Sequence, residues 1–267
     1  MPVLAYSPHM IISPLIRPME EGLVPTSVRL EKIPQSEIIN RLENKTVDLG
    51  IISPLDYSQS KSKLLILPEP VFYITDRGMD MLLFFQENLR SINRIFYQAD
   101  PDLEFENFMG KIILNEFLGV DAEWIALKEF DSAENILKKY PVFFQVGKKA
   151  FFNQLQVENF IDLTEEWKQN TNLPLVYRFL AARNDFQERE CLQQLHAALR
   201  YGLQNFEQIA AKEFEDSPEL KYLYLKMMQE NYRFTSADLV WDALKEILQY
   251  LFYYGETNYI PDLYFLP

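Results

Sequence analysis

The chain has 267 residues, 48% hydrophobic and 14% aromatic, which excludes a disordered chain and lies near the size at which one core divides in two. Its formal charge of -13 repels phosphate backbones, and no Lys/Arg cluster offers a counterion-release surface, so nucleic acid is excluded as a partner. One cysteine, Cys191, and two histidines, His9 and His196, provide neither an internal disulfide nor zinc-ligand spacing, so no zinc site is expected, carboxylate-only Mg²⁺ or Ca²⁺ binding stays open without a Ca²⁺-loop pattern, and a reducing, cytoplasmic setting fits.

The first residues are apolar but lack a basic leader and carry Pro2, Pro8, Pro14 and Pro18, so neither a secretory signal nor a membrane partner is expected. From Val28 to Ile33 the alternation predicts a short strand. Pro34 then opens a helix with Ile38, Ile39 and Leu42 on one face, and Asn44-Lys45 ends it before a second strand, Val47 to Ile52. The same order returns from Ile125 to Phe130, with Asp131-Ser132 as the helix cap, Glu134 and Ile136 matching Glu37 and Ile39, and a strand from Pro141 to Gly147. Two similar β-α-β units in one chain predict two lobes built to one plan.

Asp76 to Asp80, followed by the apolar run Met81 to Phe85, reads as the crossing from the first lobe into the second, and Leu173 to Ala182 as the return. The expected lobes are therefore 1–80 with 183–267, and 81–182, joined by two crossing strands with a cleft that opens and closes. Inside the second lobe, Glu104 to Leu118 has Phe105, Phe108, Met109, Ile112 and Ile113 at helical spacing and stops at Gly119. From Gln187 onward the pattern is helical. One stripe runs Leu192, Leu195, Leu199, Leu203, Phe206, a second helix starts at Pro218, and a third, capped by Ser236 or Asp238, carries Leu239, Leu244, Ile247, Leu248 and Leu251. Tyr259 to Pro267 reads as an irregular strap.

The stretch from Phe160 to Asp185 carries a resemblance. Asp162-Leu163-Thr164-Glu165-Glu166-Trp167, then Thr171-Asn172-Leu173-Pro174 and a buried strand, is similar to a signature of the menaquinone biosynthesis enzymes of the futalosine route, in particular the chorismate dehydratase branch. Val47 to Ser53 with Asp56-Tyr57, Met81 to Phe84, and Val146-Gly147 with Ala150 add to it. The resemblance implies an α/β, two-lobed, periplasmic-binding-protein-like (type II) fold with a helical C-terminal part. It further implies a cytoplasmic setting, a small anionic carboxylate as ligand and, where activity is kept, loss of water from chorismate without metal or organic cofactor. The alternative on the same scaffold is a non-catalytic small-molecule binding module or an assembly protein, and the oligomeric state stays open between monomer and homodimer.

The chain departs from the family at several positions. Ile11 stands where the family has an Asn ahead of its Pro-Leu pair, with Tyr6, Ser7 and His9 upstream. Phe105-Glu106 replaces a Thr-Ser pair, Gly147-Lys148 replaces Gly-Asp, and Gln145 falls where the sister branch has a His. The expected substrate-binding positions are Tyr6, Ser7, Ser53, Asp80, Glu106, Gln145 and Gly147, together with Arg178, which stands where relatives carry a small residue. Ser53 and Arg178 are argued from the residues themselves. Ser53 lies just past a strand end, where open α/β sheets bind ligands, while Asp56 closes the turn. Arg178 interrupts an apolar strand, where its guanidinium can meet a ligand carboxylate or pair with an acidic neighbour. His9 is the one candidate general base near neutral pH, and Cys191 and His196 are read as structural.

Overall fold

The computed structural model describes residues 1–86, 88–127, 133–188 and 190–267, with backbone alone at 90, 133 and 134. The chain divides into two compact units, Met1–Tyr73 with Val176–Pro267, and Ile74–Leu175. Each is an α/β body with its own sheet.

The first unit opens with β1 (Val3–Tyr6), a 3-10 turn (Met10–Ile12), α1 (Ser13–Glu20), β2 (Arg29–Lys32), α2 (Gln35–Glu43), β3 (Leu49–Ile52), α3 (Pro54–Gln59) and β4 (Leu64–Ile74). The second comprises β5 (Met81–Phe85), β6 (Arg94–Gln98), α4 (Glu104–Glu116), β7 (Glu123–Leu127), α5 (Ala133–Lys139), β8 (Val142–Val146), α6 (Gly147–Asn153), β9 (Phe160–Asp162) and α7 (Leu163–Thr171). The chain returns to the first unit through β10 (Leu175–Arg183). It continues as α8 (Glu190–Gln204), α9 (Phe206–Glu213), α10 (Pro218–Glu230), β11 (Tyr232–Arg233) and α11 (Asp238–Tyr253).

The two sheets share a plan. In the first the order is β11-β4-β10-β3-β1-β2, in the second β7-β6-β8-β5-β9. β1 lies parallel between β2 and β3, as β6 lies parallel between β7 and β8. The next strand runs antiparallel and is the first after a crossing, β10 on the return to the first unit and β5 on entry to the second. The β2-α2-β3 segment thus has a counterpart of the same order in β7-α5-β8; Lys128 to Ser132, including the expected Asp131-Ser132 cap, lies outside the described residues.

The units change at 73/74 and 175/176, seven residues before each of the expected boundaries at 80/81 and 182/183. The cause is local. Gly78 N–H donates to Thr164 Oγ1 (2.7 Å) and Met79 N–H to Asp162 Oδ2 (2.7 Å), which ties the turn before β5 to the second unit. β5 itself pairs with β8 and β9 inside the second sheet, whereas β10 pairs with β3 in the first.

Packing follows the sheets. In the first unit Gly50 gives way to α2: an added Cβ would stand 2.6 Å from Ile38 Cγ2 and 3.0 Å from Leu42 Cδ1. Gly110 likewise lets α4 settle on the Phe144 ring, 2.6 Å from where its Cβ would be. On the other face of that sheet, Phe84 and Phe143 stack at 4.8 Å within a cluster with Leu82, Ile136, Leu137, Ala150 and Val157. Two of the predicted C-terminal details shift. On α8 the buried face is Cys191, Leu195, Ala198, Leu199 and Gly202, and Leu203 is exposed. The cap of α11 is Ala237, whose side chain makes no capping bond, and Val240 is buried in place of Leu239.

Candidate functional site

In the first unit β1 and β3 are parallel, so Tyr6 and Ile52 end on one edge of the sheet. β10 is antiparallel with Phe179 opposite Ile52, which sets Arg178 one residue further on, at that same carboxyl edge. Open α/β sheets take ligands beyond this edge, where strand ends leave backbone and loop groups uncommitted. Tyr6, Ser7, His9, Ser53 and Arg178 gather there, five of the positions expected from sequence.

They differ in what they can still do. Tyr6 is buried and its hydroxyl donates to Glu20, and burial followed by that carboxylate raises its pKa far above the ordinary phenol value. Ser53 caps α3: its Oγ accepts from Asp56 N–H (3.2 Å), and its N–H and Oγ–H donate to Asp56 Oδ2 at 2.7 and 2.6 Å. Gln35 Nε2 adds a bond of 2.6 Å to the same oxygen. Such a capping box is worth about 1 kcal/mol and commits the Ser53 hydroxyl to the fold, against its reading as a ligand contact.

Ser7 is 5% exposed, and its Oγ is buried with no hydrogen-bond partner among the described residues. Two residues on, His9 caps the 3-10 turn, its Nδ1 accepting from Ile11 N–H (3.2 Å), so the neutral ring carries its proton on Nε2. Tyr224 OH fixes the same turn by donating to Met10 O (2.6 Å), and the Tyr177 ring lies 5.7 Å from the imidazole. Burial, then the Arg178 charge, pulls the His9 pKa down to about 3. That overturns its reading as a base near neutral pH: at pH 7 it is a neutral donor. Arg178 is 2% exposed on an interior strand and donates from Nη1 to Tyr177 O (2.8 Å).

The His9 shift has a measurable consequence. Its folded pKa lies below the unfolded value of 6.5, so its contribution to stability is complete above pH 6.5 and is lost as pH falls toward 3. His9→Asn, which keeps a capping acceptor, is expected to flatten the acid limb of urea stability by about 2 kcal/mol between pH 7 and pH 4, a figure reduced because the residue as a whole is only half-buried. Parallel limbs for the two proteins would show that this imidazole charges freely in the fold.

In the second unit β8 ends at Val146, opposite Met81, and Gly147 N–H donates to Asp80 O (2.7 Å), so Asp80 and Gly147 share the carboxyl edge of that sheet. Gly147 has φ +66, a left-handed conformation that glycine adopts without penalty. Glu106, in the first turn of α4, is fully buried; the neighbouring Asn107 Nδ2 bonds Gln98 O (3.2 Å) at the end of β6. Gln145 lies within β8, and its Oε1 accepts from Asn153 Nδ2 (2.6 Å), which commits it to packing α6.

Asp162 and Thr164, noticed in the sequence only as part of a signature, organise this edge. Thr164 N–H (3.0 Å) and Oγ1–H (2.6 Å) donate to Asp162 Oδ1, while Asp162 and Thr164 hold the turn at Gly78 and Met79. The signal was present as an Asp-x-Thr helix start. Away from both edges, Cys191 is buried, and exposed His196 bonds Glu69 O through Nε2 (3.1 Å).

The family described as menaquinone biosynthesis matches residues 3–253. No functionally curated protein is significantly similar to the chain. Among solved structures, protein AF1704 from Archaeoglobus fulgidus is similar at 16% identity and TM-score 0.69, covering 95% of this chain and 97% of its own. The periplasmic aliphatic sulphonate binding protein SsuA from Escherichia coli follows this fold at 13% identity and TM-score 0.66, over 98% of this chain and 94% of its own. The Candida albicans CA3427 gene product, described as having the generic periplasmic binding protein structural fold, does so at 14% identity and TM-score 0.57, over 93% and 89%. The fold is therefore periplasmic-binding-protein-like.

Proposed function

The chain belongs to the menaquinone biosynthesis family, and from that premise we propose that it binds chorismate, or a small carboxylate of that kind, through donors on the carboxyl edge of the first unit's sheet. Ser7 carries the reading. A buried hydroxyl without a partner loses its hydrogen bond to water on folding, and such groups are rare unless something outside the chain satisfies them. On the same sheet edge lie His9, a neutral imidazole with its proton on Nε2, and Arg178, a permanently charged guanidinium. Hydroxyl, imidazole N–H and guanidinium are all donors, which suits a carboxylate's lone pairs and disfavours a cation.

Two activities are compatible with that binding. Dehydration of chorismate requires a group that takes a ring proton, and His9 is too weak a base for it, so turnover would fall to another residue. That weakness favours the second reading, a module that binds the carboxylate without converting it. The SsuA fold relative is itself named for binding sulphonates. A cytoplasmic location belongs to the proposal; among the described residues no helix is long and apolar enough to cross a membrane.

The test is a thermal-shift and calorimetric titration with chorismate and its enolpyruvyl-benzoate product, with product formation followed alongside. Ligand at a hundred times its dissociation constant should add about 2.7 kcal/mol of stability. Arg178→Met is expected to raise the Kd roughly 30-fold, about 2 kcal/mol, and Ser7→Ala roughly fivefold without loss of thermal stability. Turnover selects the dehydratase, binding without turnover the module. Equal affinities for the parent and both variants would remove this edge as the binding site.

A further inference from the structure

The C-terminal strap, Tyr259 to Pro267, takes no part in the carboxylate site, and exposed apolar side chains concentrate on it and the helix before it. Among the described residues thirteen large hydrophobic side chains are exposed, and seven of them, Leu239, Phe252, Tyr253, Tyr259, Ile260, Tyr264 and Phe265, fall within the last 29 residues. Such a concentration of exposed apolar side chains marks an interaction surface more often than chance. The family match ends at residue 253, so the strap lies beyond it.

The strap is nevertheless firmly laid down. Ile66 N–H donates to Tyr264 O (2.7 Å) and Leu266 N–H to Ile66 O (2.8 Å), a parallel bridge to β4. Tyr57 OH donates to Asp262 O (2.8 Å), Phe265 meets the Trp241 ring edge to face at 4.9 Å, and Leu266 is buried. Its outward side chains are therefore presented on a fixed ridge, with their ordering entropy already spent in folding.

A hollow lies on each side of that ridge, and Ile260 to Asp262 and Tyr264 line both. One, of about 800 Å³, is bounded by the α11 face with Asp238, Trp241, Asp242 and Lys245, where Lys245 is paired to Asp242 at 3.2 Å. The other, of about 260 Å³, is bounded by Lys61 and Lys63, whose Nζ stands 3.7 Å over the Tyr264 ring. Glu43 beside it is occupied by Lys61 N–H and Ser62 N–H. The surface thus has an apolar ridge, an acidic flank and a basic flank.

A twofold axis running along such a ridge places the acidic flank of one copy against the basic flank of the other, twice, while the apolar residues meet at the centre. We propose that the strap is the core of an isologous interface between two copies of this chain. A basic partner would meet Lys61 and Lys63, and an acidic one Asp238 and Asp242, so a self-complementary surface fits a second copy better than either.

Sedimentation velocity of the full chain at about 100 µM tests it, since an interface of ordinary size should hold at that concentration. The expected species has twice the 31.6 kDa chain mass. Ile260→Asp, the double variant Lys61→Glu with Lys63→Glu, and the double variant Asp238→Lys with Asp242→Lys should each sediment as monomers. All substitutions are at exposed positions, and far-UV dichroism and melting confirm folding. Mixing the two charge-reversed proteins should restore the dimer, because both of their flank pairs become opposite in sign. A monomeric parent, a dimer that survives all three changes, or reversed proteins that fail to reassociate would each overturn the proposal.

Discussion

Gly202→Ala should be the most destabilising addition of a single methyl group among the glycines, by at least about 3 kcal/mol and with failure to fold at 37 °C as the extreme outcome. Propensity argues the other way, since Ala inside a helix is favoured over Gly by about 1 kcal/mol. Geometry decides. A Cβ on Gly202 in α8 would stand 1.8 Å from Pro14 O and 2.7 Å from Pro14 C, and both are backbone atoms of α1 with no rotamer to escape into. The helices would have to separate. α1 follows directly on the 3-10 turn capped by His9 and pinned by Tyr224, so the change should also disturb the Ser7–His9 loop and weaken any carboxylate binding there. Gly22 and Gly255, with φ of +65 and +81, provide the control: among the described residues nothing lies within 4 Å of their Cβ positions, and Ala there should cost only the left-handed backbone penalty, about 1 kcal/mol. Urea midpoints at constant slope separate the cases, and a Gly202→Ala loss below that of Gly22→Ala would refute the close helix contact.

The same contact explains what the sequence concealed. A stripe of large residues on α8, Leu192 to Leu203, looked like its buried face, yet the face is built partly from Cys191, Ala198 and Gly202 because α1 approaches so closely. Periodicity counts large apolar residues and passes over small ones. Local features were readable, including the order of strands and helices in both β-α-β units and the helix from Glu104, since each depends on neighbours in sequence. The boundaries were less so: the turn at Gly78 and Met79 belongs with Asp162 and Thr164, more than eighty positions away, and only the fold shows that bond. The turn-closing role of Asp56 was readable, while its reciprocal bond with the Ser53 hydroxyl, which commits that hydroxyl to the cap, was not; the weak basicity of His9 was unreadable too, being set by burial and by Arg178. Arg178 stood out correctly as an anomaly in an apolar strand. Its burial on an interior strand, which argues against an edge residue packing only its stem, came from the order of the sheet.

Asp162→Asn is expected to destabilise the chain by about 2–4 kcal/mol at pH 7, with a pH dependence opposite to that of His9. The carboxylate collects Met79 N–H at 2.7 Å on one oxygen and Thr164 N–H and Oγ1–H on the other. An amide has one accepting oxygen, so Asn must turn its NH₂ toward a donor and leave one of these bonds unmade in a buried setting. Burial raises the Asp162 pKa to about 6, and the bonds from Thr164 and Met79, with the Arg77 charge, only partly offset it. A carboxyl whose folded pKa is raised contributes most below its unfolded value of 3.8 and loses that contribution as pH climbs through 6. The gap between parent and Asn variant should therefore widen by up to about 3 kcal/mol as pH falls from 8 to 4, because the amide does not titrate. Taking the difference cancels the other acids, which are common to both proteins. Urea unfolding at pH 4, 6 and 8 measures it. A gap that narrows toward low pH would mean that the hydrogen bonds outweigh burial and that Asp162 is held ionised throughout.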